Sequence, residues 1–290
     1  MTAHCHRAFV RRSDPYKLPI TRNLYSVGLI FVIVFAALWV PGESALQIPA
    51  AIYHVFSDYT VLWICLVIAL WHIVTANDRE LKVTEVAFGS MFATAAALSG
   101  GPWPWLFLCG SVWLFLRGAD NFVSRQALLL VLALGMHEAI VNLSGAVFGD
   151  ALLGIDAWIA AFLTGWFIPG VVAAGTMLQA TDGHVLVLVW GCSSLSYVGD
   201  MMLLCWALAM LIAGDAGVRR DLWSWLMLVA LITIALNTAR LGLMAMEPQM
   251  YQYLHHGDGA IVFRVANLLS VVGITWLQAD HAIVRKHSAV

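Results

Sequence analysis

Thirteen of the fifteen lysines and arginines in this 290-residue chain fall in the gaps between long apolar segments; the exceptions are Arg240 and Arg264. That partition constrains the fold more than any motif does. Apolar stretches of about 20 residues match the hydrocarbon core of a bilayer, and basic residues gather in the cytoplasmic connections. Such stretches lie near 24–41, 59–76, 83–99, 103–116, 127–147, 152–170, 197–213, 222–240 and 260–277. The chain is 61% hydrophobic and 11% charged, against roughly 25% charged for an ordinary soluble domain. The reading is a single all-α domain, a polytopic membrane helical bundle whose obligatory partner is the lipid bilayer. A formal charge of −2, with no basic stripe, speaks against nucleic acid as a partner.

The basic residues also set an orientation. Arg7, Arg11, Arg12, Lys17 and Arg22 place the N-terminus in the cytoplasm. Arg79 with Lys82, Arg117 with Arg125, and Arg219 with Arg220 mark further cytoplasmic turns, and Arg285 with Lys286 hold the C-terminus inside. The loops at 42–58, 100–102 and 241–259 have no lysine or arginine and fall outside. An even number of crossings must separate Arg125 from Arg219, yet three apolar segments lie between them, so one does not span. The better candidate is 152–170, with Asp156 near its start, Pro169 near its end, and Ile155, Ile159, Phe162, Leu163 and Trp166 at the spacing of an interfacial helix. The rival is 127–147, re-entrant or interfacial, which holds His137, Glu138 and Asn142. Either choice gives eight spans, both termini cytoplasmic, and Cys192 outside.

Five cysteines, Cys5, Cys65, Cys109, Cys192 and Cys205, are scattered without a CxxC pair, which indicates neither a disulfide framework nor a cysteine metal cage. Cys192 differs from the rest. It follows the alternating segment 183–190 and precedes a helix beginning near residue 195, where unpaired amides and the helix dipole favour a thiolate. Packing as a small hydrophobe is the alternative, and it covers the membrane-embedded cysteines. Asn237 and Arg240 stand three apart on one helix face near the outer boundary. An arginine there can hold a thiolate, bind an anionic group or stabilise an oxyanion, or serve as a snorkelling anchor. Its outward position argues against a simple anchor. Arg264 is a weaker case of the same kind, with Asp258 or Asp200 as conceivable partners. His255 and His256 precede the last span, and a histidine can accept a thiol proton and return it to a leaving amine. Their neighbourhood with Asp258 lacks metal-site spacing, so no metal and no other cofactor is implied.

At these residues the chain resembles the exosortase/archaeosortase family of membrane cysteine transpeptidases, and the exosortase branch in particular. The family pattern is a cysteine in a Cys-Ser-Gly context, then Asn-x-x-Arg, then His-x-x-x-Gly-x-x-x-Phe. Here Cys192-Ser193 matches the first element, Asn237 through Arg240 the second, and His255, Gly259 and Phe263 the third. Spacing selects His255 over His256. Gly170, Gly175 and Asp182-Gly183 resemble the run before the family cysteine, and the likeness covers about 150–270. Ser194 departs from the pattern by standing where the family has glycine, which bears on substrate choice more than on thiol chemistry.

The resemblance implies a multi-pass protein of the cell inner membrane with its active site facing the periplasm. It implies a secreted-protein substrate bearing a C-terminal sorting signal: a Pro-Glu-Pro-like motif, a transmembrane helix and a basic tail. Cys192 would attack and form a thioester, His255 would act as base and then acid, and Arg240 would orient the thiolate or the oxyanion. Asn237, Ser193 and Ser194 would support them. An envelope acceptor or water would resolve the intermediate. Two other classes stand beside this reading. A transporter would line an ion path with Arg240, Arg264, Asp200 and Glu138, although no inverted repeat is visible. A non-catalytic membrane scaffold would leave Cys192 an ordinary thiol.

Overall fold

In the computed structural model, residues 21–38, 59–76, 81–167, 169–180, 183–213, 221–255 and 257–287 are described, the side chains of 195 and 280–287 excepted. Among the described residues, eight long helices, α1 to α7 and α9, carry the apolar segments. They are α1 Arg22–Leu38, α2 Thr60–Thr75, α3 Val83–Ala97, α4 Trp103–Leu116, α5 Phe122–Thr164, α6 Ser194–Ala213, α7 Leu222–Met246 and α9 Asp258–His287, with a short α8, Pro248–His255, before the last. Four of them, α5, α6, α7 and α9, are long and apolar enough to cross a membrane. The remaining four are apolar helices of 14 to 17 residues. This is a helical membrane protein.

Contacts at helix ends show how the first four helices alternate. At the start of α1, Asn23 Nδ2 donates to the Ala76 carbonyl just past α2 (3.2 Å). Arg22, buried, bonds Glu85 Oε1 in the first turn of α3 (3.0 Å) and the Phe115 and Gly118 carbonyls at the end of α4 (2.7 and 3.0 Å). The Arg22 guanidinium also lies 5.5 Å from the centre of the Phe115 ring. Burying this cation is tolerable because a carboxylate and two carbonyls meet it. Arg22 is thus a clamp joining three helices, not a free surface charge of the N-terminal tail. Arg7, Arg11, Arg12, Lys17, Arg79, Arg219, Arg220 and the whole 42–58 loop lie outside the described residues.

The segments 127–147 and 152–170, expected to be separate helices, are one. α5 is continuous over 43 residues, roughly 65 Å at 1.5 Å per residue. Asn121 caps its start by accepting a hydrogen bond from the Val123 amide (2.9 Å). Two glycines near the junction of these stretches serve packing. A Cβ on Gly145 would lie 3.0 Å from the Trp190 ring, and one on Gly154 would touch the Gly175 carbonyl. A mid-helix glycine costs only about 1 kcal/mol, which such contacts offset. The late part of α5 buries Leu153, Ala157, Ala160 and Ala161 and exposes Ile155, Trp158 and Phe162, with Trp166 exposed in the turn just past its end. Trp158 stacks on Phe162, and Phe162 meets Trp166 edge-on. An exposed aromatic row of this kind suits the bilayer interface. The remaining helices likewise bury one side and expose large apolar residues on the other, as bundles in lipid do.

After α5 the chain forms a small antiparallel sheet, β1 Val172–Ala174, β2 Met177–Gln179 and β3 Val185–Val187, in that order. A two-residue loop, Gly175-Thr176, joins β1 to β2, and Gly175 takes φ +61°, which favours glycine. The paired residues Leu178 and Leu186 are buried in a cluster with Leu153, Leu241, Met244 and Leu254. This second core is separate from the larger one, which is built mainly from α1, α2, α4, α5 and α6 with residues of α3, α7 and α9. Its tightest seam is between α7 and the end of α5, where Gly242 lies against Thr164 with no room for a Cβ. Gly242→Val is expected to lower stability by about 1–3 kcal/mol through overpacking, measured as a drop in thermal unfolding midpoint in detergent.

Candidate active site

A single 3₁₀ turn, Trp190–Cys192, carries the chain from β3 into α6. Backbone bonds from the Cys192 amide to the Val189 carbonyl (2.7 Å) and from the Ser193 amide to the Trp190 carbonyl (3.0 Å) close it. The turn is held from two further helices. From α7, the Asn237 amide donates to the Cys192 carbonyl (2.9 Å) and to Ser194 Oγ (3.0 Å), using both of its N–H groups. From α5, Asp156 Oδ2 accepts from the Ser193 hydroxyl (2.8 Å) and the Ser194 amide (2.9 Å). The second bond places a carboxylate on the first turn of α6, where unsatisfied amides and the helix dipole welcome it.

These bonds fix the thiol. Cys192 is 4% exposed and Asn237 is 4% exposed, and Cys192 Sγ lies 3.7 Å from His255 Nε2. His255 ends α8, and the Tyr251 ring one turn earlier stacks on the imidazole at 5.0 Å and 21°. The stack limits ring rotation and keeps Nε2 toward the sulfur. Arg240 does not meet Cys192 directly. Its Nε donates to the Leu254 carbonyl (3.2 Å), the residue before His255. Arg240 therefore braces the end of α8, and that bond leaves its two terminal nitrogens uncommitted to Leu254. Beyond His255 the chain turns at Gly257 into α9. A Cβ on Gly259 would fall 2.7 Å from the Tyr253 ring and 2.8 Å from Leu254. Glycine there lets α9 begin directly beneath α8, with Phe263 packed against the same cluster.

Cys192, Asn237, Ser193, Ser194, Arg240 and His255 thus occupy one end of the molecule, although they span 64 residues of sequence. Ser194 has its own account: its hydroxyl accepts from Asn237, a bond glycine would lack. Ser194→Gly is expected to lower stability by about 0.5–1.5 kcal/mol, the size of one buried neutral hydrogen bond, read as a drop in thermal unfolding midpoint in detergent. Compared with protein-family models, with curated proteins and with solved structures, the chain matches none.

Asp156 was legible only as a polar residue in an apolar stretch, and nothing in the local sequence announced its contact with Ser193 and Ser194, 37 and 38 residues away. Arg264 is exposed on α9. Asp200, one of its expected partners, pairs instead with His137, at 3.3 Å. His256 lies outside the described residues. The arrangement can do acid–base chemistry on a thiol: a sulfur nucleophile, an imidazole in contact with it, and a guanidinium one residue from that imidazole.

Proposed function

We propose that the chain is a membrane-embedded cysteine transpeptidase of the exosortase type. The observation that carries the reading is the 3.7 Å contact between Cys192 Sγ and His255 Nε2 at a turn immobilised by Asn237. In this account the eight apolar helices all cross the cell inner membrane, both termini are cytoplasmic, and the thiol end faces the periplasm. The substrate is a secreted protein whose C-terminal sorting signal presents an extended, Pro-Glu-Pro-like motif at the outer boundary.

The thiol proton passes to His255 Nε2 as Cys192 Sγ attacks the scissile carbonyl carbon. The carbonyl oxygen becomes an oxyanion, and the terminal N–H groups of Arg240 are its proposed partners. Collapse of the tetrahedral adduct breaks the C–N bond, and the imidazolium gives its proton to the departing amine. The retained chain is then a thioester on Cys192, which an amine or hydroxyl acceptor of the envelope, or water, resolves with His255 again taking the proton. A nearly buried thiol limits hydrolysis of that thioester. Access for the peptide requires the α8 end to shift, and the single turn between α8 and α9 is where such a shift would pivot.

The reading is tested with a secreted reporter carrying a sorting signal, co-expressed with the chain and followed by mass spectrometry. Loss of the transmembrane segment and tail, dependent on the chain, is expected; a reporter that stays full-length with several such signals would contradict it. In the same assay Arg240→Ala should lower cleavage by about 10²–10³, the loss typical of one oxyanion donor, and Arg240→Lys should recover little because a lysine offers no fork.

A further inference from the structure

A second cluster of reactive side chains lies away from the thiol. His137 and Glu138 are consecutive in α5, and Asp200 sits in the second turn of α6, six residues past Ser194 and so about 9 Å along the helix. One ligand atom from each, an imidazole nitrogen and two carboxylate oxygens, lies within 4.8 Å of the others. His137 Nε2 is already 3.3 Å from Asp200 Oδ1. Donor atoms around one ion, at metal–ligand distances near 2.0–2.2 Å, stand about 3–4 Å apart, so a small rotamer adjustment closes the set.

Three observations favour an ion here over an ordinary pair. Glu138 is 9% exposed, and among the described residues nothing donates a hydrogen bond to its carboxylate. It points instead at another carboxylate and an imidazole. Among the described residues no lysine or arginine pairs with Glu138 or with the partly exposed Asp200, so the two carboxylates have only the His137 imidazole beside them, and the buried Glu138 lacks the cation that such burial demands. Finally, Gly199 makes room for the imidazole: any side chain there would collide with the His137 ring. Asp200 and the notch beside it come from consecutive residues of α6.

We propose that His137, Glu138 and Asp200 bind one divalent transition-metal ion, of the zinc class. A neutral imidazole suits zinc and its neighbours, and carboxylates complete a mixed nitrogen–oxygen set with positions open to water. The charge balances: two carboxylates and one divalent cation sum to zero, which a low-dielectric bundle requires. The ion ties α5 to α6 below the thiol turn. It takes no part in the chemistry at Cys192, and the proposal stands whether or not the chain is a transpeptidase.

The test uses the full chain in detergent, stripped with EDTA, dialysed, and titrated separately with Zn²⁺ and with Co²⁺ as a coloured probe. The Cys192→Ala/His255→Ala chain is run in parallel to remove the other soft ligands. Both chains are expected to retain one zinc per molecule after gel filtration, to raise their thermal midpoint with zinc, and to show visible Co²⁺ bands. Glu138→Gln and Asp200→Asn should each weaken binding at least tenfold, and the double variant should abolish it. Folded chain that retains no zinc and shows no Co²⁺ bands would overturn the proposal, as would undiminished binding by the double variant. Where the variants do not fold, the spectrum and zinc content of the Cys192→Ala/His255→Ala chain decide the matter alone.

Discussion

Cys192→Ala is expected to yield a folded chain with no measurable processing. The sulfur is the only atom removed, and the turn that carries it is held by backbone bonds and by Asn237 and Asp156, none of which uses the thiol. The stability cost should fall within about 0.5–3 kcal/mol, the ordinary range for a point change. The chemical cost is the whole covalent route, because the Cys192 sulfur is the proposed nucleophile and stands against the imidazole. A cleavage assay on membranes, normalised to folded protein by gel filtration, measures both at once. Cys192→Ser should be nearly as poor, since a serine hydroxyl is a far weaker nucleophile than a thiolate at neutral pH.

The second large effect is expected at His255. Removing a positioned acid–base group typically costs about 10²–10⁴ in rate, and His255→Ala should lie in that range. The substitution also ends the ring stack with Tyr251 and frees the thiol from its neighbour. His255→Gln separates the two contributions. Glutamine can keep a hydrogen-bonding atom near the sulfur but cannot shuttle a proton, so it should remain as impaired as alanine at neutral pH. The pH dependence is the discriminating readout. Activity of the wild type should fall on the acid side as the imidazole protonates and can no longer accept a thiol proton, and that limb should vanish in His255→Gln. A variant that kept both its rate and its acid limb would remove His255 from the mechanism.

The helical membrane architecture was plain from the apolar segments: α1, α2, α3, α4 and α6 begin and end within a few residues of those windows, while α7 and α9 start where expected but run on past them. That success has a simple cause: in lipid each backbone must satisfy its own hydrogen bonds, so an apolar run of the right length is a helix. The error at 127–147 and 152–170 has an equally local cause. Gly145, Gly149, Asp150 and Gly154 dilute hydropathy without ending a helix, and the neighbours of two of them, the Trp190 ring at Gly145 and the Gly175 carbonyl at Gly154, are distant in sequence. One continuous α5 and α6 stand where three separate segments had been weighed.

The site was legible in its types and its order but not in its supports. Cys192, Asn237 and His255 converge as the motif spacing suggested. Arg240 stands one residue removed, on the Leu254 carbonyl, which makes it a brace for His255 as much as a candidate partner for an oxyanion. Asp156 could not have been found from spacing, since its role depends on α5 running past the start of α6. The same is true of His137 and Asp200, which sit on different helices 63 residues apart and meet only because Gly199 leaves the ring a place.

The central claim is that Cys192 carries the substrate covalently. Its most direct measurement is rapid quenching of wild-type chain with a sorting-signal peptide, followed by peptide mapping of the 183–200 region by mass spectrometry. The account predicts a mass addition on Cys192 equal to the N-terminal part of the peptide, removed by neutral hydroxylamine as a thioester is. Cleaved peptide in the quenched samples with unmodified Cys192 at every time point would contradict it.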